Sequence, residues 1–381
     1  MKKIAIIGAG ISGLFIANLF KKNSNYQVSI YEKNRSINTE EGYGIQLSVN
    51  SVKLLNKIAF NKAQADKKFF PEKINFYSND SSKKICDLNI SDFNFDDCKY
   101  TTLKRSILID FLKKDLGDSI KTNFDISKIS HQNEQIKLSF KNNKNTECDY
   151  LIISDGVFSR SKKLILNTQT EPKYNGTLAI RGTISNVPDS LDGKNISLFL
   201  GSNFHHVIYP LNYNRELNYI AIMKHKLSQD QQKSHALFNE RSFIEKIKKK
   251  IYLNDKEFFN QVENLKIFPV FVSKNFYDFK KNNIYSIGDA FFASPPSFAQ
   301  GASQSIESAY ELFKSIENND HSNFFRNRIK KIKMVSIRAK FNQFTFHLSN
   351  PLAVFVRNFF LKKLVNNKKF LDSYLGKIYR D

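Results

Sequence analysis

Three cysteines in 381 residues, Cys86, Cys98 and Cys148, are odd in number, scattered, and outside any metal-ligand spacing. They exclude a disulfide framework and a cysteine-held metal centre, and no metal site is expected; they fit a reduced, cytoplasmic setting with free thiols. Nowhere do about 18 apolar residues run without interruption, as a membrane-crossing helix requires. Internal repeats, low-complexity linkers and nucleic-acid-binding motifs are also absent. What remains is a globular chain, 41% hydrophobic. It is long enough for two domains or one elaborate one, since domains usually run to about 100 to 200 residues.

Acidic residues are scarce as well: 36 Asp plus Glu face 59 Lys plus Arg, a formal net charge of +23. Such a charge raises nucleic acid or anionic membrane as a partner. Most of the lysines alternate with apolar residues, as on a solvated helix face, and no nucleic-acid partner is expected. The charge is uneven, however. From Phe324 onward 14 Lys plus Arg stand against 2 acids, net +12 in 58 residues. Interleaved with Phe355, Phe359, Phe360, Leu361 and Leu364, these cations suit either a solvated face packed on the rest of the protein or an amphipathic surface that meets anionic lipid at the inner face of a membrane.

The first 22 residues, MKKIAIIGAGISGLFIANLFKK, admit two readings. An export signal would share the basic start and apolar core, but this stretch is long for one, ends in Lys21 and Lys22, and lacks a small-residue cleavage site. The other reading takes Gly8, Gly10 and Gly13 as G-x-G-x-x-G between a strand, Lys3 to Ile7, and a helix, Leu14 to Lys22. Gly8 then makes the turn, Gly10 lets backbone approach a pyrophosphate, and Gly13 lets helix and strand pack closely. The helix N-terminus supplies free N–H groups and partial positive charge. A second strand, Gln27 to Tyr31, ends at Glu32, where a carboxylate can take ribose hydroxyls. Strand, glycines, helix, strand and acid in this order define a dinucleotide site built from Gly8, Ala9, Gly10, Ser12, Gly13, Glu32 and Lys33.

Further on, the periodicity predicts a glycine-containing loop at 41–45, a helix from about Asn50 to Ile58, sheet over 72–103, and a helix from Arg105 to Leu116. Strands follow at Ile126 to His131, Gln135 to Phe140, Cys148 to Ser154, Leu178 to Ile184, His205 to Leu211 and Leu217 to Met223. Helix then runs to about Leu253, a strand leads into Gly288-Asp289, and a helix follows Gly301.

Two later segments carry a family resemblance: Leu151-Ile152-Ile153-Ser154-Asp155-Gly156-Val157-Phe158-Ser159 with Lys162, and Gly288-Asp289-Ala290 through Pro295-Pro296 to Gly301-Ala302 and Glu307. With the opening fingerprint, and in this order, they resemble the flavoprotein monooxygenases of the aromatic hydroxylase type, the group of para-hydroxybenzoate hydroxylase and salicylate hydroxylase. That family often has Gly at Ala299, Asn at Ser303 and Asp at Glu307.

The resemblance implies an α/β fold. A Rossmann-like FAD-binding domain (1–70, 101–170 and 266–323) would interleave with an α+β substrate domain carrying a mixed sheet (71–100 and 171–265), followed by a basic helical tail (324–381). It implies FAD as cofactor, held also by Arg105, Asp155, Gly156, Gly288, Asp289, Gly301 and Ala302. NADH or NADPH would serve as reductant and O2 as co-substrate, for hydroxylation of an aromatic or otherwise hydrophobic small molecule. Pro295 would form a rigid wall beside the flavin. Arg181, His206 and Tyr209, with His205, are the candidates for handling a substrate proton. A reductase or dehydrogenase on the same scaffold, without oxygen insertion, is the alternative among enzymes. A basic attachment protein with a vestigial flavin fold is the alternative of another class.

Overall fold

The computed structural model describes residues 1–37, 43–63, 65–79, 83–132, 135–167, 171–185, 192–214, 216–234, 236–252, 259–279, 281 and 283–380. Glu41 and Gly42 of the predicted glycine loop and Leu253 at the predicted helix end lie outside them.

Two sheets organise the chain. The first has five parallel strands in the order Ile284–Ser286, Tyr150–Ile153, Lys2–Ile7, Tyr26–Tyr31 and Ile120–Lys121. Its central strands are apolar on both faces, as a parallel sheet covered on both sides requires. One face buries the helices Ile11–Lys21 and Gly301–Glu317 through Leu14, Phe15, Ile306 and Ala309. The other meets an antiparallel meander of Ile126–Gln132, Gln135–Phe140 and Asn145–Cys148 through Ile136 and Leu138.

The second sheet has seven strands in the order Val262–Val272, Lys173–Ile184, Leu217–Lys224, Phe204–Pro210, Ile196–Gly201, Lys73–Ser78 and Lys84–Asn89. All neighbours are antiparallel except Ile196–Gly201 with Lys73–Ser78, so the sheet is mixed. Alternate residues point to opposite faces of a strand, and here both faces are buried. One face packs Tyr219, Ala221 and Met223 against the helix Arg241–Tyr252. The other carries Ile196, Leu198 and Tyr209 toward the C-terminal helices. The strand Val262–Val272 crosses the boundary expected at residue 266 and belongs along its whole length to this sheet. Ile196–Gly201 has no counterpart in the periodicity reading.

The tail is helical, with Gly301–Glu317 leading into His321–Phe346, Pro351–Leu364 and short turns to Tyr379. Arg328, fully buried, ties the long tail helix to the preceding one. Its Nη1 lies 3.3 Å from Glu307 Oε1 and 3.1 Å from Glu311 Oε1, and its Nη2 donates to Gln304. Glu307 Oε2 in turn accepts from Asn50 at 2.9 Å.

The tightest point in the first sheet is the Gly13 approach. A Cβ on Gly13 would stand 2.2 Å from Gly8 O and 2.5 Å from Ser154 Oγ, whereas one on Gly10 would meet nothing within 4 Å. Gly10 has φ −81° and ψ −176°, which any residue can adopt. Gly13→Val is therefore expected to cost about 1–3 kcal/mol or more through overpacking, while Gly10→Val stays within about 0.5 kcal/mol of the parent. Urea unfolding of the two variants checks this, and equal losses would contradict it.

Candidate active site

The strand Lys2–Ile7 ends where Gly8, at φ +101°, turns the chain into the helix Ile11–Lys21. Ser154, at the end of the neighbouring strand, donates its hydroxyl to Ile7 O and Gly8 O at 2.8 and 2.9 Å and so fixes the turn. Glu32 reaches the same loop. Its Oε2 accepts the Ala9 N–H at 3.0 Å, and Oε1 accepts the Asn34 N–H at 3.0 Å. Lys33 beside it is exposed. Ser12 is buried against the Gly288 turn, where a Cβ on Gly288 would come within 2.7 Å of Ser12 Oγ. The structure thus brings Gly8, Ala9, Gly10, Ser12, Gly13, Glu32 and Gly288 together. Arg105 opens the helix Arg105–Lys113, its N–H donated to Tyr43 O at 2.8 Å.

Asp155 and Gly156 follow the strand Tyr150–Ile153, with Gly156 at φ +80°. Asp155 Oδ2 accepts the Ser161 N–H at 3.0 Å, while Oδ1 is buried with no partner among the described residues. Lys162, buried, is within electrostatic reach of both Asp155 and Asp289. Burial lowers the pKa of its ammonium, and the two carboxylates oppose that shift. Asp289 sits on the short turn Gly288–Ala290 with its side chain open to a cavity yet deep among protein atoms. That burial pushes its pKa up to about 6, and Lys162 pulls against the shift.

The cavity, about 860 Å³, runs from Asp289 and the Pro295-Pro296 turn to the inner face of the seven-stranded sheet. Gly301 and Ala302 line it at the N-terminus of a 17-residue helix with no acid in its first turn, so the positive end of that helix dipole is left for a ligand. Ala299 turns the chain into this helix at φ +51°, in the left-handed region where the family often has glycine. On the sheet side Arg181 and Tyr209 line the space, with Arg181 over the Tyr43 ring at 5.7 Å. Burial raises the Tyr209 hydroxyl pKa far above its ordinary value, so at neutral pH Tyr209 keeps its proton and serves as a hydrogen-bonding group rather than a base.

His206 requires a correction. Strand alternation sends His205, Val207 and Tyr209 to the cavity and Phe204, His206 and Ile208 to the opposite face. The His206 ring stacks between Phe199 and Tyr219, with centroids 4.4 and 5.5 Å away. It is out of reach of anything in the cavity. His205 takes its place, but its Nδ1 is paired with His347 Nε2 at 2.7 Å. Burial lowers both imidazole pKa values, that of His347 to about 4, so this pair is a neutral strut rather than a base.

Sequence reasoning missed most of the cavity's far wall. Asn342, Phe346, Arg357, Leu361 and Tyr374 come from the tail, and Gln46 from the strand Gly44–Leu47. Gln46 Oε1 accepts from the Tyr100 hydroxyl at 2.8 Å. The only signal for the tail residues was apolar positions recurring among the cations.

These groups fit a flavin dinucleotide. The glycine loop leaves open space beside Gly10, Asp155 holds an unpartnered carboxylate oxygen, and Asp289 and an uncompensated helix N-terminus face a cavity wide enough for a ring system. Fold and site define an FAD-binding protein. A family model described as an FAD binding domain matches residues 1–318, and the chain belongs to that family.

It is 25% identical over 238 residues to a salicylate hydroxylase of Pseudomonas putida, a match covering 58% of this chain and about half (54%) of that protein. It is 22% identical over 384 residues to 6-hydroxynicotinate 3-monooxygenase of Bordetella bronchiseptica, covering 96% and 98%. Among solved structures, Klebsiella pneumoniae HpxO complexed with FAD and uric acid superposes with TM-score 0.82 at 14% identity, over 98% and 97% of the two chains. A salicylate hydroxylase substrate complex does so with 0.79 at 17%, over 100% and 95%. At such identities the structural likeness carries the fold.

Because the folded pKa of Asp289 lies above the ordinary 3.8, the folded flavin-free protein holds this proton more tightly than the unfolded chain. The stability it contributes is full below the ordinary value and is lost as pH rises through about 6. Asp289→Asn should remove that dependence, so the thermal midpoint of wild type should fall relative to the variant between pH 4 and 7. Asp289→Ala should weaken FAD retention at least about tenfold, the scale of a charged hydrogen bond. Thermal melts across pH and flavin quantitation check both; a constant difference between the melts would contradict the buried-carboxyl account.

Proposed function

We propose that this chain is a monooxygenase that uses FAD, NADH or NADPH, and O2 to place one oxygen atom on an aromatic or otherwise hydrophobic small molecule. The observation that carries the reading is the cavity of about 860 Å³, which joins the Asp289 and Pro295 turns to an apolar sheet face bearing few polar groups. FAD, when bound, supplies hydride acceptance and the activation of O2. The protein's part is to bind, orient and exclude water.

Gly8, Ala9, Gly10, Ser12 and Gly13 would take the pyrophosphate, and Glu32 the adenosine ribose. Arg105, Asp155, Gly156, Gly288 and Asp289 would hold the rest of the cofactor toward the ring. Gly301 and Ala302 would present the helix dipole to negative charge on the ring. Pro295 and Pro296, with fixed φ and no N–H to offer, would be the wall against which a planar substrate lies. Arg181 and Tyr209 would orient its polar end. The names of the curated relatives, hydroxylases and monooxygenases of salicylate and 6-hydroxynicotinate, support the same substrate class. This reading keeps the division into 1–70, 101–170 and 266–323, 71–100 and 171–265, and 324–381 as a proposal, with the strand Val262–Val272 moved to the substrate part. Peripheral contact of the basic tail with an anionic membrane belongs to this reading too, supported by the net +12 charge of residues 324–381.

NAD(P)H oxidation is expected to be slow with the protein alone and to rise at least about tenfold, roughly 1.4 kcal/mol of barrier, with a substrate that is then recovered one oxygen heavier. Oxygen uptake and product mass spectrometry over a panel of phenols, aryl carboxylates and N-heteroaromatic acids make the test. Substrate-stimulated oxidation that yields only hydrogen peroxide would move the chain to the reductase reading.

A further inference from the structure

Two tail helices carry apolar side chains where a soluble protein would carry polar ones. On Pro351–Leu364, Leu352, Phe355, Val356, Phe359 and Phe360 are all exposed, Phe355 at 69%. Their spacing of 0, 3, 4, 7 and 8 makes one continuous helical stripe, and the helix contains no buried residue. On His321–Phe346, Ile337, Phe341 and Phe344 repeat the pattern at 0, 4 and 7, with Phe344 65% exposed. Leu361 and Leu364 of the shorter helix face the cavity too. Cations border the stripes. Lys333 and Lys340 are exposed on the long helix, Lys362 and Lys363 end the short one, and Lys363 Nζ lies 4.5 Å over the Phe359 ring.

Phe341, Phe344, Val356 and Phe360 both line the cavity and are among its most exposed residues. The mouth of the cavity therefore opens within the exposed apolar face.

We infer that the outer faces of these two helices form one docking surface for an anionic lipid bilayer, and that the cavity opens into that surface so that an apolar substrate passes to the flavin from the lipid interface. The inference rests on the reading of the tail as membrane-facing and adds to it the position of the substrate entrance. Charge complementarity selects the occupant. A second copy would bring another tail of net +12 and a whole chain of +23 against the same face, whereas anionic headgroups attract both. Apolar residues flanked by lysines match an element lying in the interface, with rings at the acyl boundary and ammonium groups extended to the headgroups. Among the described residues no helix is long and apolar enough to cross a membrane, so the contact is peripheral.

The flavin-loaded full chain is sedimented with vesicles of phosphatidylcholine alone or with about one-third phosphatidylglycerol, at low and at physiological salt. Binding is expected to the anionic vesicles, weaker at higher salt because exposed charges are screened, and at least about tenfold weaker to the neutral ones. Phe355→Glu and Phe359→Glu, neither of which lines the cavity, should lose vesicle binding at least tenfold while keeping flavin content and NAD(P)H oxidation with a water-soluble substrate. Binding to neither vesicle, or equal binding by the Glu variants, overturns the docking surface. So does a wild-type dimer in velocity sedimentation that Phe355→Glu dissociates without vesicle binding, which would assign the face to a second copy.

The entrance is tested separately with a polarity-sensitive dye on Phe344→Cys. Burial of Cys86, Cys98 and Cys148 raises their thiol pKa values, which favours labelling at the introduced site. Blue-shifted emission quenched by spin-labelled lipid is expected. A dye that stays in water on vesicle-bound protein rejects entry from the lipid while leaving docking intact, and neither outcome bears on whether the chain binds FAD.

Discussion

The close approach of three backbone segments at Gly13 is the constraint on which the flavin half depends. The turn at Gly8, the end of the strand at Ser154 and the first turn of the helix Ile11–Lys21 meet with no room for a single side-chain carbon at Gly13. The Ser154 hydroxyl bonds two carbonyls of that turn. Glu32 takes its Ala9 N–H, and Ser12 is pressed against the Gly288 turn that carries Asp289. The position of Asp289, and with it the floor of the cavity, follows from how tightly these turns stack. Close-packed interiors transmit such displacements rather than absorb them, so a defect at Gly13 reaches a carboxylate it does not touch.

A second constraint holds the tail in place as the outer wall. Arg328 is buried among Glu307, Glu311 and Gln304. A buried ion pair of this kind contributes less to stability than its Coulomb energy suggests, because desolvation opposes it, but removing one partner leaves a stranded charge. Here it fixes the register of the long helix against Gly301–Glu317. At the far end of that helix His347 is paired with His205 of the sheet. The tail therefore spans the cavity from the flavin part to the substrate sheet. Its inner face completes the pocket, and its outer face meets whatever lies outside. Packing on the protein accounts for the inner side of these helices, and the proposed membrane contact concerns their exposed side.

The glycine fingerprint was legible because its context is local: strand, turn, helix and acid lie within 32 residues, each with its own signature. The Asp155 and Gly288-Asp289 turns were legible by resemblance, and their convergence on Lys162 was not, because a lysine following a turn looks solvated until both carboxylates are placed. His206 was assigned to the wrong face because its strand is buried on nearly every residue, so periodicity carries no phase. Ile196–Gly201 was missed for the same reason, being buried throughout. Glu307 looked in sequence like a departure from the family's aspartate. In the structure the longer side chain reaches Arg328, a contact more than twenty residues away that pattern alone does not link.

What the native protein holds decides between a dinucleotide and a mononucleotide site. The most direct measurement is the identity and stoichiometry of the cofactor released when the purified, folded chain is heat-denatured, since a dinucleotide site built around Gly8, Glu32 and Asp289 has a use for the adenosine half that FMN lacks. The account predicts FAD, one per chain and released without covalent cleavage. A folded chain that yields FMN, or that yields no flavin and takes up none when FAD is supplied, would contradict it.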